Sequence, residues 1–160
     1  VQLLLRLKSN APIAMVLPTN ILGNFLSGRC SIRIGINRMV LWGALICSGG
    51  ICLSLILTTL GLGSAETFFG FMIFVGLGNG LTIPNATAGA LSVRPHLAAT
   101  ASGLSGAIML GGGAALSALA GALLTAETGA LPLLALMLLT TLLGALSIYV
   151  VIRRERRLGL

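Results

Sequence analysis

Charge is nearly missing from this 160-residue chain: charged residues make up 8% of it and only three are acidic, against roughly a quarter charged in a soluble globular protein. So few charges cannot cover a water-facing surface, which excludes a soluble globular domain. Aromatic residues are also scarce, at 4% with one Trp and one Tyr. With a single His, and no nucleophile–base pair, paired carboxylates or phosphate-binding loop, the chain gives no reason to expect an enzyme. Cys30, Cys47 and Cys52 form an odd set without metal spacing. They read as reduced, incidental thiols, and neither metal nor cofactor is expected. The formal net charge of +7 would suggest nucleic acid in a soluble protein. Here the arginines adjoin apolar segments instead of forming a solvated basic face, so anionic headgroups, not nucleic acid, are the expected partner.

What the chain does have is apolar length: 56% hydrophobic residues and 22 glycines. Five segments, about Pro12–Gly28, Met39–Leu60, Phe68–Leu91, Leu97–Leu124 and Leu131–Ile152, are each near the length needed to cross a ~30 Å hydrocarbon core. The expectation is an all-α integral membrane protein of one domain in the lipid bilayer. Arg29, Arg33 and Arg38 follow the first segment, Arg94 the third, and Arg153, Arg154, Arg156 and Arg157 the fifth. The alternate boundaries carry Glu66 and Glu127. Cytoplasmic loops are enriched in Lys and Arg, so the basic boundaries and the tail 153–160 are expected in the cytoplasm of a multi-pass plasma-membrane protein. Arg6 and Lys8 run against the pattern. The chain opens on Val1, without a signal peptide, and reads as the middle of a longer protein.

Local signals agree with these ends. Gly61, Gly63 and Ser64 break the chain before the third segment, and Glu66 suits the positive end of its helix. Pro95 separates the third and fourth segments. Gly129 precedes the fifth, and Pro132 suits a first helical turn. The second and fifth segments are leucine-rich and are expected to face lipid on much of their surface. The fourth, with Gly103, Gly106, Gly111, Gly112 and Gly113 among many alanines and serines, is expected to be a buried packing helix. Gly103 and Gly106 are too close for a GxxxG dimer motif.

Polar residues at membrane depth are costly without a partner or water. Asn20, Asn24 and Ser27 stand at i, i+4 and i+7 on one face of the first segment. In the third, Asn79, Thr82 and Asn85 form a slowly drifting line, and Gly76, Gly78, Gly80 and Pro84 suggest a bendable stretch. Two readings stay open for these residues: contacts to a substrate cavity, or hydrogen bonds between helices. No Asp, Glu, Lys, Arg or His falls near the middle of any segment. His96, beside Arg94 and Pro95, reads as a solvated loop histidine.

Between the first two segments, Gly28, Arg33, Gly35 and Arg38 resemble the signature loop of the major facilitator superfamily, although Ile32 stands where that motif carries an acid. The stretches Gly80–Leu91 and Arg94–Leu104 resemble helices ten and eleven of drug:proton antiporters, above all the Bcr/CflA drug-resistance subfamily. The resemblance covers essentially the whole chain. It implies that the five segments are helices eight to twelve of a twelve-helix transporter, with Val1–Lys8 trailing from helix seven. It further implies a missing N-terminal half as partner, a small-molecule substrate, coupling to protons, and antibiotic efflux across a bacterial inner membrane. Helices nine and twelve would be peripheral, eight and eleven would slide between halves, and ten would line the cavity. Arg33 and Arg38 would tune cytoplasmic closure. Two rivals accompany this expectation: a membrane scaffold without transport, and an importer of sugars or metabolites from the same superfamily.

Overall fold

A computed structural model describes the backbone of residues 2–124 and 130–159, and their side chains apart from those of residues 2–17 and 65. The described chain is all-α. Its helices are α1 (Gln2–Ile34), α2 (Ile36–Thr59), α3 (Ala65–Ser92), α4 (Ala98–Leu123) and α5 (Leu131–Leu158), with a 3-10 turn, Pro95–Leu97, leading into α4. Among the described residues four helices are long and apolar enough to cross a membrane, namely α2, α3, α4 and α5. The expected first span, Pro12–Gly28, lies within α1 and begins among residues whose side chains fall outside the described set, as do Glu127 and Gly129 altogether.

The connections explain why the helices stop where they do. α2 ends in a Schellman motif: Gly61 takes a φ of 77°, its N–H bonds Thr58 O at 3.2 Å, and the Leu62 N–H bonds Leu57 O at 3.0 Å. Only glycine adopts that backbone without strain. Ser64 then caps α3, accepting from the Thr67 N–H at 3.1 Å while the Ser64 N–H donates to Thr67 Oγ1 at 2.7 Å. This is a capping box with threonine in place of the usual glutamate. Glu66 sits in the first turn of α3, as expected.

Three expectations need correction. Gly28 does not end a helix: α1 runs on through it, and only Gly35, at φ 92°, interrupts the chain before α2. The signature stretch is therefore a helix end and a one-residue hinge, because the i→i−4 ladder is unbroken until a residue adopts positive φ. Second, α3 is continuous through Gly76, Gly78, Gly80 and Pro84, and Gly78 and Gly80 serve close packing instead of bending. Third, the fourth segment is not buried by the described part of this chain. Among the described residues α4 has Ala120 alone buried, whereas α2, with Trp42, Leu45 and Leu53 still exposed, has nine buried residues including Cys47, Ile51 and Ser54.

The helices pack in the order α1, α3, α2, α5, with α4 touching α3 and α5 only lightly. α3 holds the row together through backbone contact on two sides. A Cβ at Gly80 would lie 2.8 Å from both Asn24 N and Gly23 Cα of α1. A Cβ at Gly43 of α2 would meet Gly78 O at 2.7 Å and collide with Thr82 Oγ1. Membrane helices associate by such close approach, because lipid is as apolar as any leucine they could bury.

Candidate functional site

α2, α3 and α5 together enclose a cleft of about 400 Å³, lined by Cys47, Asn79, Thr82, Thr141, Gly144 and Ser147 with several aliphatic side chains. Cys47, Asn79 and Gly144 lie near the midpoints of their helices, so the cleft sits at mid-depth. Its polar atoms differ in how they are satisfied. Ser147 Oγ donates to Leu143 O at 2.8 Å, and Thr141 Oγ1 donates to carbonyls of the preceding turn at 3.0 Å. The Cys47 thiol lies 3.6 Å from Val75 O and 3.9 Å from Asn79 Oδ1, a weak donor between α2 and α3. Thr82 Oγ1 is buried against Gly43 with no hydrogen-bond partner. An orphaned hydroxyl costs about 1–3 kcal/mol. Thr82 and Asn79 therefore carry the unmet polar capacity of the cleft.

The other asparagines go elsewhere. Asn85 is buried, and its Nδ2 donates to Ser27 Oγ of α1 at 2.6 Å and to Leu81 O at 2.7 Å. It fastens α3 to α1 and does not line the cleft. Asn24 Nδ2 donates to Asn20 Oδ1 at 3.2 Å within α1, and neither residue lines the cleft. The sequence line Asn79–Thr82–Asn85 thus divides between two neighbours, because α3 is packed on two sides. The face shared by Asn20, Asn24 and Ser27 divides in the same way, with Ser27 buried and the asparagines less so.

At the far end of the row, Gly35, Asn37 and Arg38 meet Glu155 and Arg156 of α5 around a second cleft of about 430 Å³. Asn37 Nδ2 donates to Glu155 Oε1 at 2.6 Å, joining the start of α2 to the end of α5. Sequence reasoning missed Glu155, whose one signal is being the lone acid in a run of four arginines. Arg33 and Gly28 are exposed and do not line this cleft. His96 is exposed in the 3-10 turn. A methyl group placed on Gly103, Gly106, Gly111, Gly112 or Gly113 would meet no atom within 4 Å, so no described helix packs on them. Among the described residues no group of His, Cys, Asp and Glu could hold a metal ion.

An all-α arrangement with four helices able to cross a bilayer defines a multi-pass membrane protein. No family model, curated protein or solved structure matches the chain.

Proposed function

We propose that this chain is the C-terminal part of a transporter of major facilitator type, exporting small amphipathic molecules by alternating access in exchange for protons. The observation that carries the reading is the mid-depth cleft, largely apolar but holding Asn79 beside the unpartnered Thr82 hydroxyl. Ligand sites commonly combine apolar walls with a few placed polar groups. The cleft includes walls from α2 and α5, which the family resemblance would put at the periphery. The reading accordingly rests on the cleft more than on the resemblance. Among the described residues no Asp, Glu, Lys, Arg or His stands at mid-depth, so the group that couples protons would belong to the complementary half.

The test places a thiol at Ser147, an exposed residue that lines the cleft. In a Cys30→Ala, Cys52→Ala background carrying Ser147→Cys, an amphipathic cation such as tetraphenylphosphonium should protect the introduced thiol from maleimide labelling. Asn79→Ala should raise the concentration needed about tenfold, the loss of one good polar contact. Labelling unchanged by any amphipathic probe would sink the proposal. The 160-residue chain by itself is expected not to move substrate across a vesicle membrane. A scaffold without transport is the second reading, favoured by the Asn85–Ser27 bond, which uses a mid-helix polar residue purely to join helices.

A further inference from the structure

The C-terminal half of α5 presents two opposite faces. On one, Leu146, Tyr149, Val150, Arg153, Arg154 and Arg157 line a shallow groove of about 380 Å³. These residues follow i, i+3, i+4, i+7, i+8 and i+11, which makes a single stripe along a helix of 3.6 residues per turn. The stripe is exposed throughout, with Leu146, Tyr149 and Val150 each more than half exposed. It changes from apolar to basic over about 16 Å, which is half the depth of a hydrocarbon core. On the opposite face, roughly half a turn away from Leu146 and Arg157, Glu155 is held by Asn37 of α2 at 2.6 Å. The only acid in the segment is thereby turned toward the protein, and the three groove arginines form no ion pair with any described residue.

We infer that this stripe is a binding site for an anionic phospholipid. The headgroup phosphate would lie among Arg153, Arg154 and Arg157, with Tyr149 at the interface and an acyl chain along Leu146 and Val150. Three observations favour a lipid over a free anion or another helix. The basic residues continue directly into an exposed apolar groove, which a free phosphate cannot fill. The arginines stand near a helix C-terminus, where the dipole favours cations, and no described acid pairs with them. Clustered arginines just beyond an apolar helix meet the negative potential of an anionic leaflet, each strengthening binding about fivefold. The Asn37–Glu155 bond belongs to the same device, since it keeps the carboxylate off the face that meets the headgroup. This site is independent of any transport activity.

Native mass spectrometry of the full chain, released from micelles doped with phosphatidylglycerol and phosphatidylcholine of identical acyl chains, tests the inference. The wild type should retain phosphatidylglycerol preferentially. Arg153→Gln with Arg157→Gln should weaken that retention about 30-fold. Arg29→Gln with Arg94→Gln removes the same charge elsewhere and should leave retention within about twofold. All four positions are exposed, so both variants should keep the wild-type helix content by circular dichroism. Equal retention of the two lipids, equal loss in both double variants, or displacement of the lipid by millimolar inorganic phosphate would each overturn the assignment.

Discussion

α2 and α4 have 24 and 26 residues, both are apolar enough to cross a membrane, and both are rich in small side chains. Yet α2 is packed between α3 and α5, whereas α4 stands almost free of the other described helices. The difference lies in how the small residues are arranged. In α2, Gly43, Cys47, Gly50 and Ser54 recur at spacings of four, three and four, forming one buried stripe. α3 answers it with Phe74 against Gly50 and Gly78 against Gly43 and Cys47. In α4 the small residues are spread around the whole circumference, so no single face is marked for a neighbour. A notch is useful only where an opposing ridge fills it, because dispersion falls steeply with a gap. Periodicity, more than abundance, separates a packed helix from a bare one here.

The comparison can be broken at its strongest point first. Gly80→Ala forces a methyl group against the α1 backbone and should destabilise the chain by about 3 kcal/mol. Unfolding in detergent, followed by the fluorescence of Trp42, the only tryptophan, would measure it. A wild-type midpoint would mean that α1 and α3 do not meet at Gly23 and Gly80. Glu155→Ala removes the bond that ties α5 to α2 and should cost about 1.5 kcal/mol, as bonds to charged groups do. The same unfolding measurement should show no such loss for Arg153→Ala on the opposite face.

Asn85→Ala should cost about 1 kcal/mol, within the range of interhelical hydrogen bonds in membranes. Asn20→Ala, whose side-chain bond stays within α1, should cost less, and a reversal of that order would return Asn85 to the list of cavity residues. Thr82→Val deletes a hydroxyl that has no partner and should raise stability by up to about 1 kcal/mol. If the cleft binds substrate, the same variant should weaken the protection of the thiol introduced by Ser147→Cys, separating a site role from a packing role. The smallest effect belongs to α4: Gly112→Ala should change stability by less than about 0.5 kcal/mol, since nothing lies near that position. A large loss would show that a partner covers α4 in the protein as assayed.

Much of the candidate site was legible before the fold was known, but not its grouping. Asn79 and Thr82 stand three residues apart and do share one cleft. Asn85 follows at the same spacing, yet turns to Ser27, because α3 has a close neighbour on each side and its polar line drifts from one to the other. Gly78 and Gly80 advertised close approach as plainly as they advertised bending. The stripe Gly43–Cys47–Gly50–Ser54 was the overlooked signal that α2 would be enclosed. Asn37 and Glu155 lie 118 positions apart, and no local pattern joins them.

By itself the sequence determined the solvent and the elements. Scarce charge and long apolar runs demand hydrocarbon, and hydrocarbon demands helices whose backbone bonds close within each segment. Gly61, Gly63 and Ser64, read locally, placed the break between α2 and α3, and Pro95 placed that between α3 and α4. Only the tertiary structure decided which helix is enclosed, which asparagine fastens and which faces a cleft, and how one glutamate is turned away from its arginines. Those outcomes depend on contacts between residues far apart in the chain, and in lipid such contacts are chosen by shape, since apolarity is the same on every side.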